Sequence, residues 1–474
     1  MVADLPLTRS RRRLILAICC MSLFIVGLDN TIVNVALPSI RHDLGASPSA
    51  LQWTIDAYTL VLATLLMLAG STADRLGRAR VFQAGLALFA LASLACSLAP
   101  TVGWLIAART LQAVGGSMLN PVAMSIIRNT FDDPRERAQA IGIWGGVVGL
   151  SMAMGPVLGG ALVELSWRAV FVVNVPVGIA AIVLTARFVP ESRAPRPRRV
   201  DPVGQALVIV LLASLTSAII EGPGHGWRSP AIVGLFALAA AALVVLIPYE
   251  RRRRDPLIDM RFFRSVPFSG ATAIAVCAFA ALGGFLFVNT LYLQEVRGLS
   301  ALHAGLLTLP MAAATALAGP LSGRLVGARG PRPSLVFGGC GIAVGSLMLV
   351  GLSATTPTGW LVAAYAIFGL GFGAVNPPIT NTAVSGMPAA QAGVAAAVAS
   401  TSRQVGQSLG VAVIGAIVTA GLGAALARDL PAASHTGWLV VAGCGTMVAV
   451  LGLVTTSPRA GLTARRVAQE LAPS

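Results

Sequence analysis

Apolar residues run through this chain in long blocks, each closed by a short polar or glycine- and proline-rich stretch. A helix that crosses a bilayer needs about 20 mostly apolar residues. Measured against that length, the chain offers fourteen segments, at about 14–37, 51–70, 81–99, 102–126, 138–162, 169–189, 203–220, 230–248, 268–290, 303–323, 334–353, 359–384, 404–426 and 437–456. The pattern predicts an all-α integral membrane protein. The connecting segments are short, so no room remains for a folded soluble domain. This argues against a sensor or a membrane-anchored enzyme.

Composition sharpens the picture. Of 474 residues, 56% are hydrophobic and 11% charged, where soluble domains run near 25% charged. Mean hydropathy is +0.80. All 34 basic residues are arginine. Without lysine there is no P-loop and no Schiff-base chemistry within the chain. The net charge of +16 fits basic loops that set membrane orientation better than it fits a nucleic-acid partner. With the N-terminus in the cytoplasm, inner segments carry 28 arginines and outer segments 5, and Arg109 alone falls within a span. That bias is what the positive-inside rule requires, and both termini are expected to be cytoplasmic. The first apolar run is too long for a signal peptide and carries Asp29, Asn30 and Asn34, so it reads as a retained helix.

The six cysteines lie in apolar runs with no CxxC pair, and the four histidines are scattered. Neither a disulfide framework nor a metal site follows. Gly406-Gln-Ser408-Leu-Gly410 matches the hydrolase elbow GxSxG, but it sits inside an expected span with no preceding strand. No enzyme is expected.

An internal repeat organises the spans. Gly70-Ser-Thr-Ala-Asp74-Arg75-Leu-Gly77-Arg78-Ala-Arg80 closes the second span, and Gly323-Arg-Leu-Val-Gly327-Ala-Arg329-Gly330-Pro-Arg332 closes the tenth, 253 residues later. This offset maps spans 1–6 onto 9–14. Parallel six-helix halves are a transporter signature. The expected organisation is therefore an N-terminal bundle over 1–190, an inserted helix pair over 201–248, a basic cytoplasmic linker over 249–267, and a second bundle with a short tail over 268–474.

Three charges fall within the expected membrane. Asp29 lies about 12 Å below the outer surface, Arg109 about 10 Å and Asp56 about 8 Å, at 1.5 Å per residue. They share one layer of the first bundle. Charge at such depth is costly and usually functional. Gly155 and Gly159 give a close-packing spacing extended by Gly160, and Pro156 removes one helical hydrogen bond. Gly70 and Gly77 permit a tight turn, which would let Asp74 accept hydrogen bonds from a helix N-terminus across the bundle interface.

These stretches resemble the major facilitator superfamily, specifically its fourteen-span drug:proton antiporters, over nearly the whole chain. Leu28-Asp29-Asn30-Thr31-Ile32-Val33-Asn34-Val35-Ala36-Leu37-Pro38 is similar to that family's first-helix motif. Gly70 to Arg80 resembles the loop motif, with Thr72 and Ala79 departing from it. Arg109, Gln112, Gly115 and Gly116 resemble the span 4 motif, and Gly155-Pro156-Val157-Leu158-Gly159-Gly160 the antiporter motif, with Ser151 in place of its leading glycine. Trp167-Arg168, Glu221 to Trp227, Pro256 to Asp259, Tyr292-Leu-Gln294 and Arg403-Gln404-Val-Gly406 are also similar.

The resemblance implies a major-facilitator fold and a cell-membrane exporter of amphipathic drugs or antibiotics. The coupling ion would be a proton, with no other cofactor, and the unit a monomer. Asp29, Asp56 and Arg109 would couple proton movement, since burial and the arginine pull a carboxyl's proton affinity in opposite directions. The competing reading of Asp29 and Arg109 is a structural ion pair. Gly70, Asp74, Arg75, Gly77, Arg78 and Arg80 would latch the cytoplasmic side. Asn30, Asn34, Trp53, Tyr58, Gln112, Trp144, Asn174, Asn289, Tyr292 and Asn376 are candidate cavity residues. A facilitator or importer of a metabolite is the alternative.

Overall fold

The computed structural model describes residues 8–131, 133–194, 201–253, 256–385, 387, 389–421 and 426–471. Helices follow one another with a recurrent grammar at their starts. Thr8 caps α1 (Arg9–Leu44), and Ser47 with Pro48 opens α2 (Pro48–Leu76). After α3 (Arg78–Ser97), Thr101 caps α4 (Val102–Thr130), and Asp133 with Pro134 opens α5 (Pro134–Val163). A short α6 (Ala169–Val172) precedes α7 (Asn174–Phe188). Asp201-Pro202 and Ser229-Pro230 open α8 (Pro202–His225) and α9 (Pro230–Arg252). In each case the cap side chain accepts from an orphan N–H, and the proline occupies a position that needs no donor.

The second half begins with α10 (Val266–Leu291), which runs into a π turn over Tyr292–Val296. Then come α11 (Ala301–Leu307), α12 (Leu309–Arg329), α13 (Arg332–Leu347), α14 (Thr358–Val384), α15 (Ala389–Gly421), α16 (Leu426–Thr455) and α17 (Pro458–Leu471).

Eleven of the described helices are long and apolar enough to cross a membrane, counting α6–α7, α10 with its π turn, and α11–α12 as one each. The segments α4, α5 and α13 are not among them. Burial grades from centre to rim. In its most apolar window α1 is 78% buried and α9 only 22%, and Phe236, Leu238, Leu243, Val244 and Val245 of α9 stand exposed as a lipid-facing surface requires.

Several elements differ from the sequence pattern. The sixth segment is two helices, because Pro176 has no N–H to offer the Val172 carbonyl, and the chain breaks at Val173. The tenth segment breaks at Thr308, ahead of Pro310. The expected tail contains α17, whose Ala460, Ala464, Val467 and Leu471 are buried while Arg465 and Arg466 stay exposed. Its polar face kept it below any apolar-run threshold.

Cross-half packing concentrates where α1 finishes, at the left-handed Gly45. There Gln52 donates to Thr419 Oγ1 (3.2 Å), Gln294 to the Val35 carbonyl (2.9 Å) and Leu302 N–H to Glu164 Oε1 (3.3 Å), while Arg41 lies 3.8 Å from Glu295. The tightest approach is α5 on α11. A β-carbon at Gly160 would lie 2.6 Å from the Ala301 carbonyl oxygen, and one at Gly305 2.2 Å from that of Pro156. The inserted α8 packs on both α2 and α15. It is tied to α2 by Gln205 donating to the Thr64 carbonyl (2.5 Å) and by Trp53 Nε1 donating to Glu221 (2.8 Å).

Candidate functional site

The first-helix motif places Asp29 on the face of α1 that meets α4 and α7. Arg109 of α4 donates to Asp29 Oδ2 through Nη1, which also donates to Gln112 Oε1 (2.7 Å). Arg109 Nε donates to the Thr54 carbonyl (3.2 Å), and the guanidinium carbon lies 4.0 Å from the centre of the Tyr58 ring. The second carboxylate oxygen accepts from Gln112 Nε2 (2.9 Å) and Asn174 Nδ2 (3.0 Å). Ser93 completes the cluster by accepting from Gln112 (2.7 Å). Five helices thus converge on one ion pair whose side chains are 0% and 1% exposed. A buried pair of this kind holds only when the remaining donors and acceptors are met as well.

Tyr58, Gln112 and Asn174, expected on a cavity wall, are therefore positioning residues around this pair. Their direction around the helix does not follow from the residue pattern. Ser93 was missed altogether, since a lone serine in an apolar run carries no signal.

Asp56 is separate from the pair. It is fully buried on α2, its Oδ1 accepts from Thr59 (3.4 Å), and Ser408 of α15 lies beside its carboxyl. Oδ2 has no hydrogen-bond partner among the described residues. This places a carboxyl on the seam between the two halves. Gly415 of α15 packs on Gln52 one turn away: a β-carbon there would sit 2.6 Å from the Gln52 amide carbon.

The remaining cavity candidates divide. Asn30 and Asn34 point oxygens into enclosed space without partners, and so does Trp144 its Nε1, among the described residues. Asn376 is half-buried. Trp53 is occupied by Glu221, Asn289 accepts from the Tyr365 hydroxyl, and Tyr292 donates to the Ser353 carbonyl (2.7 Å). The polar atoms of these three are engaged by protein partners.

The loop motif is built around Gly77 at φ 115°. The expected role of Asp74, accepting from a helix N-terminus, falls to Glu191. Its carboxylate accepts from the N–H groups of Ala79 (3.1 Å) and Arg80 (3.2 Å) at the start of α3. A β-carbon at Gly77 would lie 2.7 Å from that carboxylate. Asp74 instead accepts from Arg78 (2.8 Å), and its carbonyl from Ala194 N–H (3.1 Å). Arg75 and Arg80 are exposed. Gly70 is in ordinary contact with Pro121 (3.6 Å). In the antiporter motif, Gly155 and Gly159 pack on Thr31 and Ile32 of α1, while Gly160 faces α11. The kink-prone Pro156 lies between them. At the Gly45 end, Glu164 is held below the usual carboxylate range by Ser300 and the Leu302 N–H.

The chain thus combines eleven described helices long and apolar enough to cross a membrane with a sealed ion pair. Residues 19–411 match the family model described as Major Facilitator Superfamily, and the chain belongs to that family. It is a multi-pass membrane transporter and not an enzyme. It is 37% identical over 411 residues to the multidrug resistance protein Stp of Mycobacterium tuberculosis, covering 86% of this chain and 76% of that protein. It is 38% identical over 401 residues to the tetracenomycin C resistance and export protein of Streptomyces glaucescens (84% and 74% covered). Against the multidrug efflux pump LfrA of Mycolicibacterium smegmatis the figure is 35% over 454 residues, with 90% of each chain covered. Among solved structures it is similar to a bacterial homologue of the human lysosomal transporter Spinster in an inward-facing conformation. There the TM-score is 0.67 at 18% identity, over 98% of this chain and 100% of that one. The peptide transporter POT gives 0.69 at 16%, over 95% of each.

Proposed function

We propose that this protein is a proton-coupled antiporter that exports amphipathic drugs, antibiotics or other toxic organic compounds by alternating access. The observation that carries the reading is Asp56, a carboxyl enclosed on the α2–α15 seam with one oxygen unpartnered among the described residues. Separating the halves at the Gly45 end would expose it to water, so its proton affinity must differ between the two states. Asp29 and Arg109 form the second element, a pair whose ligation must change if the first bundle is to exchange a proton. The export direction draws on relatives 35–38% identical that are named for resistance and efflux.

In this reading the chain has fourteen spans, α4, α5 and α13 completing the set. The spans form two six-helix bundles joined through the α8–α9 pair and the basic linker, with both termini cytoplasmic. The Gly45 end is then the outer one, and the structure is closed to the outside. One proton moving across about 100 mV contributes roughly 2.3 kcal/mol, and one unit of pH difference about 1.4 kcal/mol. Together these sustain about a 500-fold gradient of a neutral compound per proton.

Inverted membrane vesicles energised with acid inside test the reading. Uptake of a neutral amphipathic dye that collapses on adding a protonophore is expected. Uptake indifferent to the protonophore would overturn coupling, and uptake only in right-side-out vesicles would favour the importer.

A further inference from the structure

We propose that Arg403 is a recognition point for an acidic group on the exported compound, so that the transported class includes aromatic and amphipathic organic anions. The inference rests on the export reading above and adds the substrate's charge to it.

Arg403, counted from the sequence among the inner-segment arginines, instead lies near the middle of the 33-residue α15 and within its apolar stretch Val394–Gly421, where an unpaired charge is costly. The chain holds two guanidinium groups at such depth, and they are treated in opposite ways. Arg109 is neutralised by Asp29 and closed in by Gln112, Thr54 and Tyr58. Arg403 has no carboxylate within 4.0 Å among the described residues. Its Nη2 donates to Thr380 Oγ1 of α14, and its enclosed Nε donates to nothing among the described residues. No counter-charge is near in the sequence either. Between Val266 and Thr455 the only acidic residues are Glu295 and Asp429, in the π turn after α10 and the first turn of α16, both far along the chain axis from the middle of α15.

The surroundings fit an aromatic acid. Phe279 of α10 has its ring centre 5.9 Å from the guanidinium carbon and packs edge-on against Phe372 of α14 at 5.2 Å. Asn376 lies one turn before Thr380 on the same face of α14, and it, Thr380 and Arg403 are each half-buried. The helix α15 that carries Arg403 packs against α2, α8, α10, α14 and α16. A planar guanidinium with free donors beside an aromatic wall is suited to a carboxylate on a flat ring system. A cationic compound would find no acidic side chain of this half near the middle of α15, since Glu295 and Asp429 lie in the π turn after α10 and the first turn of α16.

Binding of anthraquinone-2-carboxylate and its uncharged methyl ester to the full chain in nanodiscs, at neutral pH, tests the proposal. The wild type should bind the acid at least tenfold tighter than the ester. Arg403→Gln should erase that preference while leaving ester binding within about twofold, and Arg403→Lys should keep part of it. Equal binding of acid and ester by the wild type would overturn the proposal, as would equal weakening of both by Arg403→Gln, which marks a packing role. Proton-driven uptake of the ester in inverted vesicles is measured alongside. If it persists while the acid preference is absent, the anion site falls and the export reading stands.

Discussion

The Asp29 carboxylate and the Arg109 guanidinium, eighty positions apart, meet as an ion pair sealed among α1, α2, α3, α4 and α7. The seal decides what the pair can do. Removing one partner of a buried pair leaves a charge with no water to solvate it, at a cost of about 3–5 kcal/mol. A loss of transport in a single variant would therefore mix lost coupling with lost stability. Asp29→Asn is expected to abolish proton-driven uptake and lower thermal stability in detergent. The double variant Asp29→Asn with Arg109→Gln should recover most of the stability without recovering uptake. If the double variant concentrates substrate, the pair is structural and coupling lies elsewhere.

Asp56 makes a different prediction, because it sits between the halves and has no cationic partner within 4.0 Å among the described residues. Asn has the same shape and cannot exchange a proton. Asp56→Asn should keep substrate–substrate counterflow, which needs only the conformational cycle, and should lose net uptake driven by a pH gradient. A variant with normal pH-driven uptake would remove Asp56 from the coupling chemistry.

The contrast between these two acids marks how far a sequence alone determines such a site. Depth along a helix follows from counting residues, and it put Asp29, Arg109 and Asp56 in one layer. Direction around the helix does not follow from counting. Asp29 and Arg109 turned toward each other, while Asp56 turned toward Ser408 and the other half. The same limit moved Tyr58, Gln112 and Asn174 from an expected cavity wall into the ion-pair cluster. Eleven of the spans were legible because apolar length is a one-dimensional property. The helix α17 was not, because its apolar face alternates with Arg459, Arg465 and Arg466. Glu191 was missed because capping α3 requires the chain to return 112 positions later, and nothing local marks it.

That return contact predicts how the loop motif works. Glu191 and Asp74 share the turn at Gly77, but they carry different loads: Glu191 holds two N–H groups of α3, and Asp74 holds Arg78. Losing an N-terminal cap costs about 1 kcal/mol. Glu191→Ala should therefore lower thermal stability, with Glu191→Gln restoring part of it. Asp74→Ala should slow turnover severalfold while leaving the substrate dissociation constant unchanged. Normal transport rates in Asp74→Ala would argue against a latch.

The closest cross-half approach gives the last test, because it isolates closure from chemistry. Gly160 and Gly305 carry no charge and touch no candidate site residue except Pro156, yet a methyl group at either would enter the backbone of the other half, at 2.6 Å and 2.2 Å respectively. Backbone cannot rotate aside as a flexible side chain can, so the α5–α11 contact must loosen. Gly160→Ala should shift the population away from the state closed at the Gly45 end and lower turnover at least tenfold, with proton binding by Asp56 untouched. Gly142→Ala, on the same helix with open space around it, should be neutral and serves as the control. Spectroscopic distances between labels on α5 and α11 would report the shift directly. If Gly160→Ala transports at the wild-type rate, the Gly45 end does not need this contact to close, and alternating access at this seam would have to be relocated to α2 and α15.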